Sequence, residues 1–201
     1  MSLYPFIMTL ALLVVKPSFG DVKPLKLKEA IKSESIQKSI LTEPQVSSEV
    51  SEIIFRGEKG QKMDFWAAGL HPRDCRLALR KLSRYEDYKQ YLSYLEESLY
   101  FEDIQLVSFY IKTPIFPIRV SLRFKIPRIT KEGVYPFIYE QGFLKDLKGT
   151  IHVSQEKDRC FFYIKADWEG RHSGFSNTLL EFFSKTLVKL GMEKLFRISS
   201  L

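Results

Sequence analysis

Histidines and cysteines are among the residues of this sequence that could bind a metal ion or act as nucleophiles. The chain has three histidines and two cysteines. The densest group is the segment HPRDC, in which His71, Asp74 and Cys75 lie close together. It falls where a predicted strand passes into a predicted helix, and aspartate is a common helix cap at such a position. His152 and His172 lie far along the chain, in a predicted strand and a predicted loop. We therefore expect no metal site.

Residues for covalent or acid–base catalysis are equally sparse. A serine or cysteine nucleophile needs an adjacent base and a group that stabilises an oxyanion. Cys75 has only His71 as a neighbouring base, and the sequence has no Gly-x-Ser-x-Gly motif. Glu140 and Asp167 lie within predicted strands, but Asp167 falls on the outward phase of its strand. The sequence also has no phosphate-binding loop and no dinucleotide fingerprint, so we expect no catalytic residue and no cofactor.

The element that organises the chain is a predicted C-terminal helix. Apolar residues between Phe175 and Met192 recur at intervals of three and four, which places them on one helical face. The spacing predicts a helix over 176–190, with a continuation to Phe196 left open. This face is rich in phenylalanine and leucine, and it requires cover from the rest of the chain.

The preceding residues predict strands and two short helices. Leu122, Phe124 and their apolar neighbours at every second position alternate with Arg119, Arg123 and Lys125, the pattern of a strand with one wet face. Two short helices, one after Pro72 and one beginning at Ser83, follow the second of the early strands. The predicted strands are 53–55, 63–70, 99–101, 105–112, 117–126, 135–140, 149–154 and 159–168.

The charge of the chain limits its partners. The net charge is +7 and the isoelectric point is about 9.3, which suits an anionic membrane surface, nucleic acid or an acidic partner. Because there is no dense lysine and arginine run and no RNA-binding signature, we expect no nucleic-acid partner. An anionic membrane remains open as a partner, beside the simpler interpretation of a solvated surface. The oligomeric state is open.

The N-terminal residues predict export. Residues 6–15 form an apolar run, and Ser18-Phe19-Gly20 supplies small residues before Asp21. No basic residue precedes the run, so an uncleaved anchor or a buried helix is the alternative. We predict a signal peptide at 1–20, a linker or N-terminal arm at 21–48, and a folded domain at 49–201. The mature protein is then periplasmic or secreted.

The order of these elements resembles the helix-grip fold of the START-related (SRPBCC) superfamily, which includes polyketide cyclase-like and coenzyme Q-binding-like proteins. The resemblance covers roughly residues 62–197. Its best local match is RKLSRYEDYKQYLSYLEE at 80–97, in which Tyr85, Tyr88 and Tyr91 occupy the aromatic places of the second helix. It implies an α+β class, with a curved antiparallel sheet wrapped around a long C-terminal helix. The basic, phenylalanine-rich body departs from the subfamilies, so the subfamily function stays open.

The resemblance also implies an apolar pocket between the sheet and the C-terminal helix. The function it favours is non-catalytic binding of a hydrophobic or lipid-like ligand. A cyclase- or hydrolase-like enzyme that uses the same cavity is one alternative, and an envelope interaction module whose aromatic side chains fill the pocket is another. The predicted ligand-binding residues are Trp66, Tyr88, Phe109, Leu122, Phe124, Phe162, Trp168, Leu179, Phe183 and Leu187.

A pairing of the two cysteines follows from the same implied topology. In a helix-grip fold the first and last strands pair antiparallel, so the end of strand 63–70 lies beside the start of strand 159–168. Cys75 is one helical turn past the former and Cys160 opens the latter. We therefore predict a Cys75–Cys160 disulfide, with two buried free thiols as the alternative.

Removal of residues 1–20 is directly testable. N-terminal sequencing of the exported protein should begin near Asp21, because a signal peptidase cuts after small residues. Exported protein that retains Met1 would contradict this prediction.

Overall fold

The computed structural model describes residues 22–113, 116–141 and 144–200, and it is built on one eight-stranded antiparallel sheet. The predicted signal peptide lies outside the described residues. The order across the sheet is β1-β2-β8-β7-β6-β5-β4-β3, so β1 and β3 form its edges. The strands are β1 (Gln45–Phe55), β2 (Glu58–His71), β3 (Leu95–Phe101), β4 (Leu106–Thr113), β5 (Phe116–Lys125), β6 (Gly133–Gln141), β7 (Lys148–Glu156) and β8 (Arg159–Arg171).

In the described part of the chain, five α-helices accompany the sheet. They are α1 (Leu27–Ala30), α2 (Glu34–Ile40), α3 (Cys75–Leu82), α4 (Tyr88–Tyr91) and α5 (Asn177–Ser199), with a 3-10 turn at Tyr85–Asp87. The predicted α+β class, with a curved sheet around a C-terminal helix and short helices after the long strand, is confirmed. No helix among the described residues is both long and apolar enough to cross a membrane.

The hairpin of β1 and β2 is longer than the sequence pattern predicts. Its turn is at Arg56-Gly57, where both residues have positive φ angles, 52° and 83°, as a two-residue hairpin loop of type I′ requires. The predicted strand at 63–70 is too short at its start, since Gly60 already lies inside β2 opposite Arg171. A Cβ at Gly60 would come within 2.5 Å of the Gly170 carbonyl oxygen, so only glycine fits this close approach.

Helix α5 begins one residue after its predicted start, and it ends at Ser199, beyond both the predicted end at 190 and the open continuation to Phe196. The Ser176 hydroxyl caps it by accepting a hydrogen bond from Leu179 N at 3.3 Å. The Glu181 carboxylate accepts a hydrogen bond from Val50 N at 2.8 Å, which ties the helix to β1. Leu180, Met192 and other buried residues of α5 pack against the inner face of the sheet.

Residues 22–44, which fall in the segment predicted to be a linker or an arm, dock on the outer face of the sheet, and residues 45–48 belong to β1. Ile31 and Ile40 are buried there against Leu70 and Phe161. The Leu25 carbonyl accepts a hydrogen bond from Ser154 Oγ at 2.9 Å. The composition of the segment is typical of a spacer because charged and polar residues dominate it. In the structure the charged residues face solvent, and only a few apolar residues touch the sheet.

The end of the sheet that carries α3 is closed by the predicted disulfide. Cys75 and Cys160 are bonded with an S–S distance of 2.02 Å, and β2 pairs with β8 so that His71 lies opposite Cys160. The Asp74 side chain caps α3 by accepting from Leu77 N at 3.0 Å. The second short helix does not begin at Ser83 as predicted: this residue ends α3 instead.

The orientation of α5 yields a matched pair of substitutions. Leu180 is 1% exposed and Leu179 is 39% exposed. Leu180→Ala should lower the free energy of unfolding by about 2–5 kcal/mol, because it opens a cavity in the core. Leu179→Ala should cost under about 1 kcal/mol. Urea denaturation of the oxidised protein measures both, and equal losses would mean that α5 is rotated from the orientation described.

Candidate ligand cavity

A cavity of about 410 Å³ lies between α5 and the inner face of the sheet. Strands β2 and β4 to β8 form its wall on the sheet side, α5 covers it, and α3 contributes Leu79 and Leu82 at one end. Most of its lining is aliphatic or aromatic. The aromatic side chains that line it are Phe65, Tyr85, Tyr88, Phe109, Phe124, Phe137, Tyr139, Phe162, Phe183 and Phe196.

Four hydroxyl groups are the polar side-chain groups that line the cavity in the described part of the chain. Each donates a hydrogen bond to a backbone carbonyl oxygen, so none has a proton left to donate to a ligand. The pairs are Tyr85 with Pro127 at 3.1 Å, Tyr88 with Leu82 at 2.6 Å, Tyr139 with Ser121 at 3.4 Å, and Ser184 with Leu180 at 2.8 Å. The wall is therefore apolar in its interactions as well as in its composition.

The three tyrosines are held in the neutral form. Burial raises the pKa of Tyr88 well above its ordinary value, and it raises the pKa of Tyr139 to about 12. Burial also raises the pKa of Tyr85. A phenol that stays protonated and already donates to a carbonyl oxygen cannot act as a base near neutral pH. No carboxylate, histidine or lysine lines the cavity within the described residues.

Seven of the ten predicted ligand-binding residues line this cavity. They are Tyr88, Phe109, Leu122, Phe124, Phe162, Phe183 and Leu187. The inward phase of Leu122 and Phe124 agrees with the alternation in β5, and Lys125 is exposed as expected. The side chains of Arg119 and Val120 lie outside the described residues.

The other three predicted residues do not reach the cavity. Trp66 lies on the outer face of β2, where it packs with the N-terminal arm. Trp168 points inward, but it is buried beyond the cavity, where its indole N–H donates to Lys145 O at 2.9 Å. Leu179 faces outward on α5, and Leu180 takes the inward position. Both phases of β2 and several faces of α5 are apolar, so their sequences leave the inward face ambiguous.

Several lining residues were not singled out from the sequence. Phe137 and Tyr139 on β6 could have been found, since they alternate with Ile138 and Glu140. Glu140 is exposed, and exposed Asp167 forms a salt bridge with Lys148 at 3.8 Å. Neither carboxylate is drawn into the cavity.

The segment HPRDC has a structural role. Arg73 N donates to His71 Nδ1 at 3.1 Å, so the ring proton lies on Nε2 and is donated to Ser199 Oγ at 2.9 Å. Asp74 caps α3 and Cys75 is in the disulfide. In the regions that the structure describes, no group of three or more histidine, cysteine, aspartate or glutamate side chains could hold a metal ion.

Comparisons with known proteins give structural neighbours only. No protein-family model and no curated protein matches the chain. Ara h 8.0201 has a TM-score of 0.56 and 8% identity, over 69% of this chain and 97% of its own. A START superfamily protein from Mycobacterium smegmatis has a TM-score of 0.51 and 10% identity, over 67% and 96%. The Zhui aromatase/cyclase from Streptomyces sp. R1128 has a TM-score of 0.51 and 9% identity, over 69% and 94%. At such identities the likeness shows the fold alone.

The buried His71 makes stability depend on pH. Burial, aided by the positive charges of Arg159 and Arg73, lowers the pKa of His71 from 6.5 to about 4. The unfolded chain binds a proton that the folded chain rejects, so the free energy of unfolding should fall as pH drops from 6.5 to 4. The loss attributable to His71 is on the order of 3 kcal/mol.

Non-titrating variants test this pH dependence. Denaturation of His71→Gln should show a flatter dependence between these pH values, because the amide can donate to Ser199 but does not titrate. The exposed His172→Gln is the control and should keep the slope. A slope that survives in His71→Gln unchanged would show that another group is responsible.

Proposed function

We propose, from the premise that this chain has the helix-grip fold of the START-related (SRPBCC) superfamily, that it binds a hydrophobic or lipid-like molecule in the cavity without catalysing a reaction. The observation that carries the proposal is the cavity wall, whose polar groups are all engaged by backbone carbonyls in the described residues. The proposed ligand-binding residues are Tyr88, Phe109, Leu122, Phe124, Phe162, Phe183 and Leu187.

The wall limits the chemistry of the bound part of the ligand. A ligand carbonyl inside the cavity would lose its hydrogen bonds to water and find no free donor on the described wall, at a cost of about 1–3 kcal/mol per group. A hydrocarbon chain has no such cost, and each buried methylene contributes about 0.8 kcal/mol. At interior packing density of about 0.75 the cavity holds roughly 300 Å³ of ligand. We therefore propose an acyl or isoprenoid chain.

The enzymatic alternative has less support. A cyclase- or hydrolase-like reaction would need an acid, a base or a nucleophile at the cavity wall. The described wall offers protonated tyrosines and one serine, all engaged in internal hydrogen bonds. The pocketless alternative does not fit a cavity of about 410 Å³.

Export and membrane contact complete the proposal. The apolar run at 6–15, the small residues before Asp21 and the Cys75–Cys160 disulfide all suit a periplasmic or secreted protein. An acyl or isoprenoid ligand comes from a membrane, and the net charge of +7 favours an anionic one.

Two substitutions on α5 test ligand binding. Leu187→Trp adds bulk inside the cavity, whereas Leu190→Trp adds the same bulk at a position that is 47% exposed. Titration with a fluorescent fatty acid should show at least about tenfold weaker binding for Leu187→Trp, since the indole would occupy ligand space. Leu190→Trp should bind as the unmodified protein does.

Two results would contradict the proposal. One is equal binding by both variants, which would place the fatty acid elsewhere. The other is tighter binding of a hydroxylated polycyclic aromatic compound than of the fatty acid, which would contradict the hydrocarbon class. Solvent extraction of the purified protein, followed by mass spectrometry, should recover a lipid that is reduced in Leu187→Trp.

A further inference from the structure

Helix α3 and the segment just after it present three arginines to solvent at intervals of four residues. Arg76, Arg80 and Arg84 are all exposed, and such spacing aligns side chains on one helical face about 6 Å apart. Arg84 lies just past the helix end, but its backbone N–H still bonds to Lys81 O at 3.1 Å, which continues the last turn. We name Arg76, Arg80 and Arg84 the arginine row.

The arginine row has no acidic partner in the part of the chain that the structure describes. Other arginines are engaged: Arg128 pairs with Glu86 at 3.2 Å and with Glu102 at 2.9 Å. Two further cations near α3 are also engaged. Arg73 donates to Ser200 O at 3.2 Å and Lys81 to Ile198 O at 3.4 Å, which complements the C-terminal end of α5. The described part of the fold therefore uses none of the three arginines in an ion pair.

The helix backbone that carries the arginine row is held in place. The opposite face of α3 is buried through Ala78, Leu79 and Leu82. The start of the helix is fixed by the Cys75–Cys160 bond and by a hydrogen bond from Cys75 N to Gln155 Oε1 at 2.8 Å. The backbone positions of the three arginines are therefore preformed, and only their side chains become ordered when a partner binds.

The helix that carries the row is also a wall of the cavity. Leu79 and Leu82 line the cavity from the inner face of α3. The guanidinium groups and the ligand space are thus separated by one helix, about 10 Å across.

We propose that the arginine row docks the protein on the phosphate layer of an anionic phospholipid bilayer and so places the α3 wall of the cavity against the membrane. Guanidinium groups bind phosphate oxygens in a bidentate manner, and each arginine near an anionic surface adds to the attraction. The row is short and α3 contains no aromatic residue on which a base could stack, which favours a bilayer over nucleic acid. The docking proposal rests on the arginines alone. Only the consequence that a docked cavity exchanges its ligand with the membrane rests on the proposed function.

Vesicle flotation tests the docking. The oxidised protein should bind phosphatidylcholine vesicles that contain phosphatidylglycerol, bind pure phosphatidylcholine weakly, and dissociate at high salt because the charges are screened. Replacing Arg76, Arg80 and Arg84 with Gln should weaken binding by roughly 100-fold. The control replaces the exposed Lys59, Lys125 and Lys165 with Gln, and it should weaken binding by under about threefold.

A second variant and a second readout separate the possible explanations. Replacing the three arginines with Lys keeps the charge and should preserve binding to within about fivefold. Both arginine variants should bind the fluorescent fatty acid normally, and Leu187→Trp should bind vesicles normally. Failure of docking can thus be distinguished from failure of the cavity proposal.

Four results would overturn docking by the row. The first is an equal loss in the Gln variant and in its lysine control, which would indicate an effect of net charge alone. The second is absence of binding to anionic vesicles. The third is a loss with Lys as large as that with Gln. The fourth is arginine-dependent binding of duplex DNA or RNA without vesicle binding, which would identify nucleic acid as the partner.

Discussion

The pairing of β2 with β8 is the interaction on which the rest of the structure depends. The two strands pair from Gly60 and Arg171 at one end to His71 and Cys160 at the other. Their inner faces contribute Phe65 and Phe162 to the cavity wall, and their outer faces receive the N-terminal arm. The disulfide fixes α3 at one end of this pair, and α5 follows from the other end. Both elements that close the cavity are therefore positioned by one ladder of hydrogen bonds.

The interior is kept apolar by the use of backbone carbonyls as internal acceptors. The hydroxyls of Tyr85, Tyr88 and Tyr139 would otherwise be buried polar groups without partners, which is costly. Their carbonyl acceptors lie in the α3 end, in β5 and in the loop after β5. The same bonds that satisfy the phenols also tie these segments to the cavity wall. The cavity and the stability of its surroundings are thus linked through a few hydroxyl groups.

The sequence predicts the fold well where one face of an element meets water. The alternation in β5 assigns Leu122 and Phe124 inward, and the structure agrees. It fails where both faces are covered, because apolar residues then lie on both phases, as Trp66 shows on β2. The cysteine pairing was predicted from the strand order that the family resemblance implied, since the pairing depends on residues far apart in the chain. Docking of the arm was one of two interpretations of its sequence, and the composition favoured the other, a spacer, because few of its residues are apolar.

The long range of the β2 and β8 pairing also has a consequence for folding. β2 leaves the ribosome early, but β8, its partner, follows only after β3 to β7 have been made, and the linked cysteines are 85 residues apart. Until then β1 is the only neighbour of β2, and both of its apolar faces lack cover. Such non-local contacts slow folding and prolong the exposure of aggregation-prone strands. Synthesis of this chain therefore passes through a period in which Trp66 and Phe65 need protection from other chains.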